Sequence, residues 1–600
     1  MAASPPFVLL DDARATGASE AHLFESPRQQ FVARRPDEVA AVLQAADLAR
    51  RDVGGSLAGY IGYEAGLALE PRLQPRAEAR TGADGPLVWL GLFDEPRTID
   101  AEEVPQWLAE RGGSGPTSIG PLDPEISIGA YFEAFGRLQE AIHAGDIYQA
   151  NLTYPLAGAW RGEPLGLYAA IRPSAQAGYG GVVFDGSHWL LSFSPELFFT
   201  LKGNAAKVKP MKGTRPRGRT PQEDRSFADE LAGSVKDKAE NLMIVDLMRN
   251  DLSRVADAGS VRVDAAFEIE SYPTVHQMVS TVRATLQEGR SAVDVVRAIF
   301  PCGSITGAPK IRAMELIDEV ERDARGPYCG AIGRIDPSGD AAFNVAIRTL
   351  RLTPGENGLG RAVLGVGSAI VADSDPMSEW RECLVKGGFV RQSAAAGFDL
   401  IETMRFSPDE GIPLLELHLE RLKASASELG FAFDRHATRN QIQALCFELD
   451  APARVRLVVA RSGASALEVG SLPAPADGPV KCAVLSLPVD DGDWRLRHKT
   501  TDRGFYNEAF ALAQSAGAAE ALLLRDDGLI TEGAISSVFV EQDGKLLTPP
   551  ARLGLLPGVL RRSLIESGSA VEAELTLDDL ADGFLIGNAV RGLQAAVLLG

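Results

Sequence analysis

Pro210-Met211-Lys212-Gly213-Thr214-Arg215-Pro216-Arg217-Gly218 sets a lysine between a proline and a glycine. The backbone is held at a fixed φ before the lysine and left permissive after it. Read as a loop, the stretch suits an anionic small molecule and presents Lys212 as a nucleophile or a charge. A basic surface turn is the other reading of the same residues. Seven Lys or Arg fall between Lys202 and Arg219, in a chain whose formal net charge is −21. That acidic balance disfavours nucleic acid or an anionic membrane as a partner of the whole chain. The local positive island matches a small anion better than a polymer.

At about 100–200 residues per domain, the 600 residues imply two to four domains. Five cysteines stand at long spacings, Cys302, Cys329, Cys383, Cys446 and Cys482, with no CxxC. An odd number so spaced argues against a disulfide framework or a zinc site and for a reducing compartment. The start, MAASPPFVLLDDARA, lacks the basic region of a signal peptide. No apolar run approaches the ~20 residues of a membrane helix. The expectation is a cytoplasmic protein.

Residues 1–120 read as strand-rich, with a glycine-dense segment at 54–64 and a loop at 111–116. Apolar Phe132, Phe135, Leu138 and Ile142 predict a helix over 128–144, ended at Gly145. Strands are predicted at 182–184, 189–193 and 197–201, and helices at 221–255, 291–300, 309–323 and 376–387. Strands and helices mix without a βαβ rhythm, so the class is α+β. Gln392–Gly397 reads as a short flexible linker. The pattern then restarts with a strand-like FDLIETMRF and an amphipathic helix over 416–429. The boundaries are therefore 1–391, 392–397 and 398–600.

Several polar stretches of the first domain are unusual for scaffolding alone. Ser194-Pro195-Glu196 closes a strand, and Glu240 opens the helical AENLMIVDLMRNDL (239–252). His276 lies in an alternating strand. Thr306 lies in GSITGAPKIRAMELI (303–317), where Pro309 suits a first helical turn and the free N–H groups suit a carboxylate. Glu379, Glu382 and Lys386 share one helical face. With GDIYQANLT (145–153), RGPYCGAIG (325–333), AIRT (346–349) and GVGSAIVADSDPMSEWRECLVKG (365–387), these resemble, in order, the chorismate-utilising enzymes. That family includes anthranilate synthase, isochorismate synthase and aminodeoxychorismate synthase component I.

The resemblance implies an antiparallel β-sandwich flanked by helices, with the site between the sheets. It assigns Mg²⁺ to Glu240 and Glu382, with Glu379 close by, a donor type that suits this hard cation. It assigns the second substrate carboxylate to Arg348, Tyr328 and the backbone of Gly365–Gly367, with Lys386 beside them and Thr306 lining the site. Glu196 matches the general acid for the departing hydroxyl, a role served by a raised pKa. His276 matches the active-site histidine. Lys212 selects among the relatives: anthranilate synthases carry alanine here and the aminodeoxychorismate synthase component carries lysine. There the lysine attacks C2 of chorismate as the C4 hydroxyl leaves, and ammonia then takes C4. Arg215 and Arg217 are the expected cause of a depressed Lys212 pKa. No cysteine sits in a glutaminase-type turn, so ammonia comes from a separate glutamine amidotransferase subunit or from solution.

The last third carries Glu402-Thr403-Met404-Arg405, Leu417-His418-Leu419-Glu420-Arg421-Leu422, His498-Lys499-Thr500-Thr501, a segment at 531–539 and Leu556–Arg561. Their order resembles the fold-type IV pyridoxal-phosphate enzymes, which include branched-chain aminotransferase and aminodeoxychorismate lyase. The resemblance makes Lys499 the lysine that bonds the cofactor aldehyde and Glu532 the partner of the pyridinium nitrogen. It gives the phosphate to Arg421 and the backbone of Gly558 and Val559, with Asn588 in a further phosphate-side loop. Thr403 matches a threonine that assists proton transfer. Ser537 departs from the usual asparagine, and the domain begins without an initial strand, leaving an edge for the first domain or a partner to cover. A homodimer through this domain is a further implication. Together the halves read as a bifunctional 4-aminobenzoate synthase for folate. The alternatives are an anthranilate synthase joined to an aminotransferase-like domain, and a synthase with a cofactor-free dimerisation module.

Overall fold

The computed structural model describes residues 5–79, 85–112, 116–218, 220–271, 275–355, 358–474 and 476–599. Residues 113–115 of the loop read at 111–116 lie outside this set, as do Arg219 and Thr274. The chain divides into two compact units, Met1–Ala396 and Gly397–Gly600. Among the described residues no helix is long and apolar enough to cross a membrane.

The first unit stacks two antiparallel sheets, of eleven and ten strands among the described residues, between layers of helices. Strands Ser56–Ile61 and Val88–Phe93 show why the layers form. All their residues are buried. Leu57, Ile61, Leu90 and Leu92 face a helical layer that includes Pro36–Val53. Their neighbours Ala58, Tyr60 and Trp89 meet Val8, Val183 and Leu190 of the other sheet. Period-two alternation thus feeds two apolar layers at once. The outer face of the eleven-stranded sheet carries helices Ile128–His143, Lys310–Val320 and Pro376–Arg391, packed around Tyr131, Tyr154 and Trp380.

Three details differ from the sequence reading. The predicted helix at 221–255 is two helices, Pro221–Gly233 and Val235–Ser253, broken at Ser234, whose hydroxyl accepts from the Asp237 N–H as the N-cap of the second. The segment 392–396 is laid on the first unit: Ser393 and Ala395 are buried, and the Ala395 carbonyl accepts from the Ile119 N–H at 2.8 Å. The basic stretch is not a loop but strand Met211–Pro216, on the edge of the ten-stranded sheet beside Val275–Thr285.

The loop before Tyr328 is fixed by Arg325, which is only 8% exposed. Its guanidinium grips Glu321 with two nitrogens, at 2.9 and 2.7 Å, and donates to the Ile305 and Asn151 carbonyls at 2.8 and 2.7 Å. It also lies 4.4 Å from the centre of the Tyr63 ring. Buried Glu64 accepts from the backbone N–H of Arg325 and Gly326, at 2.7 and 3.0 Å. Arg325→Ala takes the guanidinium from buried Glu321 and leaves that carboxylate its Thr153 N–H bond but not this opposite charge, a loss of about 3–5 kcal/mol. Five of the six tryptophans lie in the first unit, so the shift is readable as an earlier urea midpoint by tryptophan fluorescence.

The second unit holds a three-stranded antiparallel sheet, Leu400–Phe406, Ala453–Val459 and Ser465–Gly470. It also holds an eight-stranded mixed sheet around Val480, Leu522, Phe584 and Ile586. The edge of Leu400–Phe406, expected to need outside cover, is met in part by the unit's own chain. The Ile401 N–H donates to the Lys499 carbonyl at 3.0 Å, and the Thr501 N–H to the Asp399 carbonyl at 2.9 Å.

Candidate functional sites

In the first unit Lys212 lies at a bulge. The pairing of Met211 with Val279 and of Thr214 with Gln277 leaves Lys212 and Gly213 as the irregular residues. Gly213 has φ +85°, and a Cβ there would come within 2.8 Å of Asp237 and 2.9 Å of Leu231. Only glycine lets the strand run so close to the two helices. Helix Val235–Ser253 is pinned by buried Asn241, whose side-chain oxygen accepts from Ser280 at 2.6 Å. That fixes Glu240, which lies 3.8 Å from the Lys212 ammonium.

Burial pushes the Lys212 pKa down. Glu240 opposes this, and Lys386 adds to the depression. Arg215 and Arg217, expected to be the cause, are otherwise engaged: Arg215 with Glu230 and Asp237, Arg217 with Asp224. Glu196 is buried, and burial lifts its carboxyl to about 7 although Ser304 donates to it at 2.8 Å. Ser304 carried no role in the sequence reading. Its place three residues after Pro301 and two before Thr306 gave no sign of a partner 108 residues away.

The acidic helix contributes unequally. Lys386 bonds Glu382 at 2.7 Å and the Gly367 carbonyl at 2.8 Å. Burial would raise the Glu382 pKa, but Lys386 and then Lys212 hold it below the usual range. Glu379 instead accepts from Ser374 at 2.7 Å, and burial raises its pKa. Among the described residues no three His, Cys, Asp or Glu side chains converge tightly enough to hold an ion. Glu240, Glu379 and Glu382 are therefore not assembled as one three-carboxylate cage. Glu240 and Glu382 both act on Lys212 and offer the hard oxygen donors that Mg²⁺ takes alongside water and substrate.

Arg348 has φ +49° and no carboxylate partner among the described residues; burial pushes its pKa down. The Tyr328 ring lies on Gly365, where a Cβ would come within 2.2 Å of it. A cavity of about 60 Å³ touches Tyr328 and Gly365, but Lys212 and Glu240 do not line it. Two candidates are turned elsewhere. His276 is buried between Ser271 at 2.8 Å and Asp224 at 3.0 Å, in the same network as Arg217. The Thr306 hydroxyl donates within its own loop, to the Cys302 carbonyl at 3.1 Å, and the residue is fully buried.

In the second unit a cavity of about 270 Å³ gathers Thr403, Arg421, Lys499, Glu532, Gly558 and Asn588. Burial, with Arg421 next in effect, lowers the Lys499 pKa to about 8. Burial raises Glu532 to about 8, although Tyr506 and the Leu556 N–H both donate to it. Arg421 is clamped by Glu402, through contacts of 2.8 and 2.6 Å, and donates to the Pro557 carbonyl at 3.2 Å. Glu402 also holds His418 Nδ1 at 2.7 Å, leaving Nε2 buried without a partner at the cavity wall. Glu402, His418 and Tyr506 are the supports the sequence left without a role.

Gly558 begins helix Val559–Glu566, and a Cβ there would lie 2.7 Å from Ser537 Oγ. The short serine and the glycine thus fit each other. Asn588 organises its own loop, accepting from the Val590 and Arg591 N–H groups at 3.0 Å and donating to the Ile535 carbonyl at 3.1 Å. An amine near neutrality, a buried carboxyl able to meet a ring nitrogen and an arginine by a helix start are what pyridoxal phosphate requires, so the cavity fits that group.

The profile of the chorismate binding enzymes matches residues 5–392, and that of the amino-transferase class IV proteins matches 399–598. Aminodeoxychorismate synthase component 1 of Salmonella typhimurium is 37% identical over 350 residues, covering 56% of this chain and 75% of its own. An anthranilate synthase component 1 of Haloarcula marismortui is 41% identical over 287 residues, 47% of this chain and 53% of its own. The crystal structure of anthranilate synthase component I from Streptococcus pneumoniae superposes with a TM-score of 0.54 at 24% identity, covering 63% of this chain and 93% of that one. That likeness shows the fold of the first unit. The chain belongs to the chorismate binding enzymes and carries an amino-transferase class IV domain behind the chorismate-binding one.

Proposed function

We propose that the chain converts chorismate to 4-aminobenzoate in two steps, one in each domain. The observation that carries the first step is Lys212: a half-buried lysine of lowered pKa, 3.8 Å from Glu240 and in the electrostatic reach of Glu196. Its neutral amine bonds C2 of chorismate as the two conjugated ring double bonds shift and the C4–O bond breaks. Glu196, uncharged below about pH 7, gives the departing hydroxyl its proton. Ammonia then bonds C4, and the Lys212 nitrogen leaves C2. Arg348 and the backbone at Gly365–Gly367 would take a substrate carboxylate. Glu240 and Glu382 would hold a Mg²⁺ ion that neutralises the other. The Salmonella relative's designation as component 1 supports a partner subunit that releases ammonia from glutamine. The reading further places the protein in folate precursor supply in the cytoplasm.

In the second step the C4 amine of 4-amino-4-deoxychorismate reaches Lys499. Pyridoxal phosphate bound there would supply an electron sink for the C4 carbanion. Lys499 removes the C4 proton, Thr403 assists proton movement, and pyruvate leaves as the ring becomes aromatic. Support for this step comes from the class IV domain and the cavity that fits its cofactor. A homodimer through this domain belongs to the same proposal.

Incubation with chorismate, ammonia, Mg²⁺ and pyridoxal phosphate should yield 4-aminobenzoate and pyruvate together; anthranilate as the product would refute the first step. Lys212→Ala should lower 4-amination by at least a thousandfold while chorismate still binds, read by product chromatography and calorimetry. The kcat/KM for chorismate should fall on the alkaline side with an apparent pKa near 7, because the Glu196 proton is lost there. Lys499→Ala should abolish the visible cofactor band and pyruvate release yet let 4-amino-4-deoxychorismate accumulate.

A further inference from the structure

The cavity of the second domain is lined by more positive charge than its cofactor uses. Arg421 is neutralised by Glu402, and Arg495 by Asp493 and Asp502. Arg454, Arg503 and Arg591 line the same cavity and form no salt bridge to a carboxylate among the described residues, although Glu532 and Glu520 act on Arg503, and Glu520 on Arg591, through space. Arg503 is half-buried. One of its terminal nitrogens donates to the Ala534 carbonyl at 2.9 Å, while its Nε is buried with no acceptor. Such an N–H costs free energy unless a ligand answers it. Arg454 is exposed and sits on strand Ala453–Val459 opposite Arg405, two residues along from the Arg456–Thr403 pair. Register therefore puts Arg454, Arg456 and Thr403 on one face of the three-stranded sheet. Arg456 spends its charge on Glu468, at 3.2 Å. The acids left in the cavity do not balance the rest, since Glu532 is committed to the cofactor's ring nitrogen.

We propose that Arg454 and Arg503 read the carboxylates of the substrate, so that the second domain selects a cyclic amine bearing two carboxylates over an aliphatic amino acid bearing one. This rests on the lyase reading above and names its specificity residues. A guanidinium meets a carboxylate with two parallel N–H donors, so two arginines at a cavity mouth fix both the charge and the orientation of a dianion. An aliphatic side chain would leave Arg454 and the Nε of Arg503 unanswered.

The test uses the full chain loaded with pyridoxal phosphate. Benzoate and 3-(carboxymethoxy)benzoate, a dicarboxylate without an amine, are titrated against the cofactor absorbance in wild type, R454Q, R503Q and R503K. Wild type should bind the dicarboxylate at least tenfold more tightly than benzoate. Each glutamine variant should lose about tenfold of that preference, the scale of one charge-assisted hydrogen bond, and R503K should recover part of it. A preference unchanged within twofold in both glutamine variants, or absent in wild type, overturns the proposal. If R503Q does not load cofactor, exposed R454Q decides. Pyruvate release from 4-amino-4-deoxychorismate is measured on the same wild-type preparation. No pyruvate with arginine-dependent dicarboxylate binding sinks the lyase reading and keeps the anion site. Pyruvate release with unaltered selectivity does the reverse.

Discussion

Arg325 carries a guanidinium into the interior of the first domain, and what it binds there positions the site. Its partners come from four places: the end of helix Lys310–Val320 through Glu321, the loop at Ile305, strand Gln149–Arg161 at Asn151, and the ring of Tyr63. Three of these contacts adjoin candidate site residues. Ile305 is the residue after Ser304, which bonds Glu196. The Thr306 carbonyl accepts from the Asn151 N–H. Tyr328 follows three residues on, against Gly365. A charge so deep is tolerable only because every partner is in place, and that requirement excludes looser arrangements of the same loops.

The two domains solve one problem by similar means. Each holds a lysine whose pKa lies below its usual value, and in each the chief cause is burial. In the first domain Lys386 adds to the effect and Glu240 opposes it. In the second, Arg421 adds and Glu402 opposes. The opposing glutamates limit how far each lysine's pKa falls. Both lysines stand on extended backbone tied to a neighbouring strand, which gives a reactive nitrogen a firmer base than a free loop would.

Much of this was legible in the sequence, for reasons that can be stated. Short-range patterns gave the helices read at 128–144 and 376–387, observed at 128–143 and 376–391, and the Glu382–Lys386 pair, because the residues that define them are within a few positions of one another. The family motifs gave the architecture. What failed was long-range. The bulge at Lys212 depends on a strand more than sixty residues later. Arg215 and Arg217 looked free until two later helices supplied Glu230, Asp237 and Asp224. The Arg325 bonds to Asn151 and Glu64 span 174 and 261 residues, and no local pattern records such closures. The hydroxyl of Thr306 and the amide oxygen of Asn588 sit in motif positions yet serve their own loops.

Strand Leu400–Phe406 and the segment holding Lys499 share backbone hydrogen bonds at Ile401 and Thr501. Thr403 and Lys499 are thereby mounted on one piece of secondary structure, although they are 96 residues apart in the chain. The starting positions of the hydroxyl and the amine are therefore set by this shared backbone pairing and not by the surrounding loops. In the proposed lyase step the travel of the amine would fall to the four-carbon stem of Lys499, because its backbone is held to that strand. Insertions elsewhere in the domain can reshape the mouth of the cavity and leave that short path as it is.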